Sequence, residues 1–193
     1  ERGLENPLGM GRIWRVRHSE GKARGPLAGL ASASPAQLVA ALSSSNGWER
    51  ETAQRLLLAV ESDVAQPLSA LAAGEDSLAA VHAIWTLQGR GELQPELVMQ
   101  LATSGDLPRQ IQALRAGSGL LQVPDLIALQ AAYTDAPQAL SMQLAFAMRD
   151  HSGDASVRDA LAELLTAKLA SPYVRQAVVR AVNGQEMPFL QEY

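Results

Sequence analysis

Cysteine is absent from the 193 residues. That excludes disulfide frameworks, thiolate zinc sites, haem attachment through C-x-x-C-H and cysteine nucleophiles, and it is compatible with any compartment. Histidine occurs only as His18, His82 and His151; none has a partner at metal-ligand spacing, and H-E-x-x-H does not occur, so no metal or cofactor site is expected. A basic excess is also lacking: 16 Lys plus Arg face 20 Asp plus Glu, for a formal charge of −4. A nucleic-acid partner, which would need cations gathered in excess, is not expected. The longest apolar stretch, Leu27 to Leu42, is broken by Ser32, Ser34 and Pro35, so no membrane insertion is expected, and no signal-peptide pattern opens the chain.

Catalytic motifs are missing as well. G-x-S-x-G does not occur, and the "GSG" at 117–119 reads as a helix end and turn. "GMG" at 9–11 and "GRG" at 89–91 lack the further glycine of a phosphate cradle. The close carboxylates Glu49 with Glu51, Glu61 with Asp63, and Glu75 with Asp76 fall at helix starts or turns. Residues two apart on a helix diverge, so a capping or solvated role is expected of them. The segment is therefore not expected to be an enzyme.

Hydrophobic residues make up 47% of the chain but aromatics only 4%. Alanine and leucine in such abundance suit helix–helix contacts better than sheets, and the composition predicts an all-α fold. A chain of this length buries roughly 70% of the surface that it exposes when unfolded.

Internal repetition is visible. "ETAQRLLLA" (51–59), "AVHAIWTLQ" (80–88), "RQIQALRAG" (109–117), "SMQLAFAMR" (141–149) and "RQAVVRAVN" (175–183) align on Ala53, Ala83, Ala113, Ala145 and Ala177. Companion segments at 36–44, 65–73, 95–103, 125–133 and 160–168 lie between them, so ten helical segments form five pairs. Ser34 before Pro35, and Asn46, Asp76, Asp106 and Asp154, stand where N-caps are needed. Gly74, Gly89, Gly105, Gly117 and Gly184 stand where left-handed helix ends are expected. "GRIWRVRH" (11–18) alternates like a strand without neighbours, expected to belong to the sheet of a preceding domain. The organisation predicted is thus a strand-like segment over 1–18, a linker over 19–34 and helical repeats over 35–193. Because the chain opens on Glu1 and closes on "PFLQEY" as a helix begins, it reads as a piece of a longer polypeptide.

"SPYVRQAVVRAV" (171–182) and "GDLPRQIQALRAG" (105–117) resemble the second helix of a HEAT-type repeat. That resemblance implies an α-α superhelix, a HEAT/armadillo-like solenoid of about five hairpins. "GRIWRV", "SNGWERETAQRLL" and "HAIWTLQGRGEL", in that order, resemble the helical region after the β-propeller of bacterial membrane-bound, sorbosone-dehydrogenase-like proteins, although Glu49 stands where that family often has a second tryptophan. This second resemblance implies a periplasmic parent that oxidises sugars or alcohols with a quinone such as pyrroloquinoline quinone. The chemistry would reside in the propeller, and a cytochrome c module would often follow.

The expected function is a non-catalytic scaffold that docks or spaces those modules; the alternative is a stand-alone protein-binding HEAT-repeat module. Either way the expected partner is protein. Arg50, Arg55, Arg109, Arg115, Arg175 and Arg180 recur in the second helices as a ladder. Two roles stay open for them: ion pairs to carboxylates of neighbouring repeats such as Asp76 or Asp106, or a partner-binding surface. Trp48 and Trp85 are either anchors of that surface or core.

Overall fold

The computed structural model describes residues 29–192, and all regular structure among them is helical. The expected strand-like segment and residues 19–28 of the expected linker lie outside the described residues.

After a 3-10 turn at Leu30–Ser32 come α1 (Pro35–Ala41), α2 (Gly47–Leu57), α3 (Ala65–Ala73), α4 (Ser77–Arg90), α5 (Pro95–Ala102) and α6 (Leu107–Gly117). They are followed by α7 (Val123–Ala132), α8 (Gln138–Met148), α9 (Ala155–Ala167), α10 (Pro172–Ala181) and α11 (Glu186–Glu192). The ten expected segments map onto α1 to α10. The 3-10 turn packs on α2 with Leu30 buried, so the end of the expected linker is part of the helical body.

The caps are where acceptor side chains stand. Ser34 accepts from the Gln37 amide while Gln37 accepts from the Ser34 amide, a reciprocal capping box before Pro35. Asn46, Asp76, Asp106, Asp154 and Ser171 accept from amides in the first turns of α2, α4, α6, α9 and α10. Those bonds, led by the Ser156 hydroxyl, hold the Asp154 carboxyl below the usual carboxylate range.

The glycines need correction. Gly105 and Gly184 have the positive φ of a left-handed turn, as expected, and so does Gly91, which closes α4 with its amide on Gln88 O and the Glu92 amide on Leu87 O. Gly74 and Gly117 end their helices with negative φ, and Gly89 lies inside α4. Gly117 is there because nothing larger fits: a Cβ would meet Val98 Cγ2 at 2.3 Å.

Consecutive helices pair as antiparallel hairpins, α1 with α2 through to α9 with α10. The even-numbered helices then pack on one another in succession from α2 to α10, while in the odd-numbered set α3 packs on α5 and α7 on α9. The result is two helical layers around one continuous core, an arrangement consistent with an α-α superhelix. Ala53, Ala83, Ala113, Ala145 and Ala177 are all buried at the contacts of the even layer, where a methyl side chain lets helices approach closely. Counted from the N-caps Asn46, Asp76, Asp106, Pro137 and Ser171, the first three alanines are seven residues in. In α8 that position is Leu144, with Ala145 beside it, and Ala177 comes six residues after Ser171; the repeat length grows at the C-terminal end.

Hydrogen bonds join each hairpin to the next. The Tyr133 hydroxyl donates to Ala102 O at 2.6 Å, and Gln110 Nε2 donates to the same oxygen at 3.0 Å. Burial pushes the Tyr133 phenol up to about 12. Its folded pKa exceeds the unfolded value of 10.0, so this group's stabilisation is whole below pH 10 and is lost as pH rises towards 12. Tyr133→Phe is expected to cost about 1 kcal/mol in urea denaturation at neutral pH, since Gln110 still satisfies the carbonyl, and to delay alkaline unfolding.

Candidate functional site

The six ladder arginines separate by environment. Arg50 is engaged: its Nη1 donates to Ser44 O at 2.7 Å and its Nε to His82 Nε2 at 3.2 Å. Arg109 is 93% buried, its guanidinium 3.9 Å from Asp106 of its own helix and its Nε unpaired among the described residues. Arg175 is exposed and caps Leu169 O. Arg55, Arg115 and Arg180 are exposed and bond to nothing among the described residues.

Among the described residues the expected ion pairs from this ladder to neighbouring repeats are not formed. Asp106 does take a bond across hairpins, but from the Ser77 hydroxyl at 3.0 Å, and Asp76 is turned to its own helix amides. A carboxylate already accepting first-turn amides has its lone pairs committed where the next hairpin's arginine does not reach. Besides Arg50, which reaches His82 of α4, Arg90 spans hairpins, and the repeat alignment passes it over: it donates to Leu57 O and Val60 O, each at 2.7 Å, and forks onto Glu92. Arg158 is likewise buried, on Ser152 O and Gly153 O.

His82 sits between Gln54 and Arg50. Its Nδ1 lies 2.7 Å from Gln54 Oε1 and its Nε2 accepts from Arg50, an arrangement that needs the neutral tautomer protonated on Nδ1. Burial first, and the Arg50 charge second, lower its pKa from 6.5, with Glu51 opposing. The folded form thus resists protonation, and this group's contribution is present above pH 6.5 and lost as pH falls through the lowered folded value. Denaturation midpoints between pH 7.5 and 5 are expected to fall for the native chain and to flatten in His82→Gln. His151 is also structural, its Nε2 3.1 Å from Leu121 O.

Trp85 is half-buried, its indole donating to Gln112 at 3.0 Å, and Trp48 is 51% exposed. The same register places other apolar residues outward. Two positions after the caps stand Trp48, Leu78 and Tyr173, each about half exposed, and nine after stand Arg55, Trp85, Arg115, Phe146 and Arg180. The solvent side of the even layer is therefore a file of arginines interleaved with aromatics.

Charge divides between the layers. The even helices carry seven arginines against Glu49 and Glu51, while the odd helices carry Glu96, Asp125, Asp159, Glu163, Glu186 and Glu192 against Arg158 alone. Among the described residues no group of three or more His, Asp or Glu is placed to hold a metal ion, and no helix is long and apolar enough to cross a membrane. No protein family matches the chain, and no curated protein or solved structure matches it either.

Proposed function

We propose that the chain is a protein-binding helical-repeat module, a HEAT-like α-α superhelix that recognises its partner with the even-numbered helices. The observation that carries this reading is the outward file Arg55, Trp85, Arg115, Phe146 and Arg180, which recurs in one register and in which three guanidiniums have no hydrogen-bond or ion-pair partner among the described residues. Interfaces concentrate their energy in aromatic and arginine side chains. The even helices are in closer mutual contact than the odd ones, which supports a superhelix curving around its even face. Docking without chemistry of its own is the role proposed.

The likeness of residues 11–16, 45–57 and 82–93 to the region behind a dehydrogenase propeller supports a narrower version. In it the module spaces the propeller and cytochrome c modules of one quinone-dependent, periplasmic polypeptide.

A photo-crosslinking amino acid placed at Arg115 is expected to capture a discrete protein in the producing cell, whereas the same group at Glu163 on the odd layer captures none. Equal capture at both positions, or quinone-dependent sugar turnover by the isolated chain, would sink the reading. For the superhelix, truncation after Ala170 removes α10 and α11 and uncovers the side of α8 on which α10 packs. Reduced solubility and a broader thermal transition are expected from it.

A further inference from the structure

The outward side of the even layer is not uniform. Between α4, α6 and α8 a groove of about 380 Å³ is lined by Trp85, Arg115, Gln143, Phe146 and Arg149, together with Leu114 and two small side chains. We propose that this groove holds an acidic segment of a partner protein in which a carboxylate alternates with an apolar side chain. The inference rests on the protein-binding reading above and gives it a place and a ligand chemistry.

Three observations carry it. First, the lining contains two cations and no acid. Arg115 is exposed without a hydrogen bond or ion pair among the described residues, and the Arg149 ion pair is with its chain neighbour Asp150, both side chains more than 60% exposed. An ion pair so exposed contributes little, so exchanging Asp150 for a partner's carboxylate costs little. Second, the apolar wall is held ready: the Trp85 indole is fixed by Gln112 at 3.0 Å, and Phe146 stands over a third exposed at the helix surface although its chain neighbour Ala147 is buried. An aromatic ring that is already oriented loses little freedom on binding.

Third, the positive charge of the groove centres on Arg115. The groove lies by the C-terminal turns of α6 and α8, and each helix end brings about half a negative charge. Asp150 offsets Arg149 in a solvent-exposed pair, which leaves the Arg115 guanidinium, without a pair among the described residues, as the cation that a partner's carboxylate would meet. Both guanidiniums offer planar forks that match a carboxylate. At about 380 Å³ the space admits one or two side chains rather than a whole helix. The match is to a short extended segment such as Glu-Leu-Glu.

The test uses the full chain and fluorescein-labelled dodecapeptides, one of alternating Glu and Leu with a single Phe, the other with Lys in place of Glu. Fluorescence anisotropy is expected to show saturable binding of the acidic peptide alone, weakened by added salt. Arg115→Glu with Arg149→Glu should weaken it by about tenfold or more, and Phe146→Ser by severalfold. Lys168→Glu, beyond the end of α9, should change it less than twofold. Circular dichroism melts of each variant show whether the fold is intact.

Equal binding of both peptides, an unchanged affinity in the correctly folded double variant, or equally tight binding of single-stranded DNA would each overturn the assignment. Crosslinked protein recovered at Trp48 or Tyr173 with no acidic-peptide binding would overturn the groove while leaving the broader docking function standing.

Discussion

Arg90→Met is expected to lower the unfolding free energy by about 3 kcal/mol, read from urea denaturation followed by circular dichroism. The side chain is 92% buried and donates to three backbone carbonyls, Leu57 O, Val60 O and Ser62 O, while its Nε and Nη2 fork onto Glu92 at 2.8 and 2.7 Å. Leu57 is the last residue of α2, so this guanidinium from α4 satisfies a carbonyl that α2 cannot satisfy within itself. Methionine fills much of the volume but offers no donor, leaving Val60 O and Ser62 O to find water and Leu57 O with the Val60 amide at 3.3 Å. Each buried acceptor left alone costs about 1–3 kcal/mol; Ser62 O is the most exposed of the three and contributes least. Lysine keeps the charge but not the planar fork, and Arg90→Lys should recover only part of the loss. A midpoint for Arg90→Met indistinguishable from that of the native chain would refute the role. Glu92→Gln alone should cost less, because its carboxylate is partly solvated.

Gly117→Val is expected to cost about 3 kcal/mol, through overpacking. A Cβ at this position would meet Val98 Cγ2 at 2.3 Å, Cγ1 at 2.7 Å and Cβ at 3.1 Å, so the Val98 side chain of α5 rests here on the bare backbone of α6. Valine at 98 is stiff about χ1 and cannot swing clear. Gly117→Ala should be milder, because replacing glycine near a helix end returns up to about 1 kcal/mol of helix propensity against the same clash. The decisive measurement is a double-mutant cycle. Val98→Ala alone opens a cavity and destabilises, yet combined with Gly117→Ala it removes the colliding methyls, so the pair should lose clearly less than the two single changes added together. Strict additivity would show that the two sites do not touch.

These two positions illustrate what the chain's letters convey. Caps and periodicity are local, and Ser34, Asn46, Asp76, Asp106 and Asp154 announce helix starts because the acceptor and the amides that it satisfies lie within three residues. The alanine stripe is equally legible, since one small residue per repeat is what close helix approach requires. The roles of individual arginines are not. Arg90 finds carbonyls about thirty residues away, and backbone carbonyls carry no side-chain signature. Arg109 looks the same as Arg115 in an alignment, yet the turn of the helix between them buries one and exposes the other. Gly117 reads as a helix stop because a left-handed turn and a close backbone approach call for the same residue.

For the groove, Arg115 and Trp85 are visible as members of the repeat. Phe146 and Arg149 are hidden because the third repeat interval lengthens by one residue, from 30 to 31 between caps, and shifts the register on which the alignment depends.

The hydrogen bonds that tie each hairpin to the next, such as Gln54 with His82, Trp85 with Gln112, Ala102 with Tyr133 and Gln138 with Ser171, span 27 to 33 residues. Contact order is consequently modest for a chain of this size, and folding can spread outward from any adjacent pair of hairpins instead of awaiting closure of one long loop. Amide exchange should then be graded, slowest in α4 to α8 and fastest at the two ends. A sequence built this way can lengthen by duplicating a unit of about thirty residues, since a new hairpin has to satisfy only the two beside it.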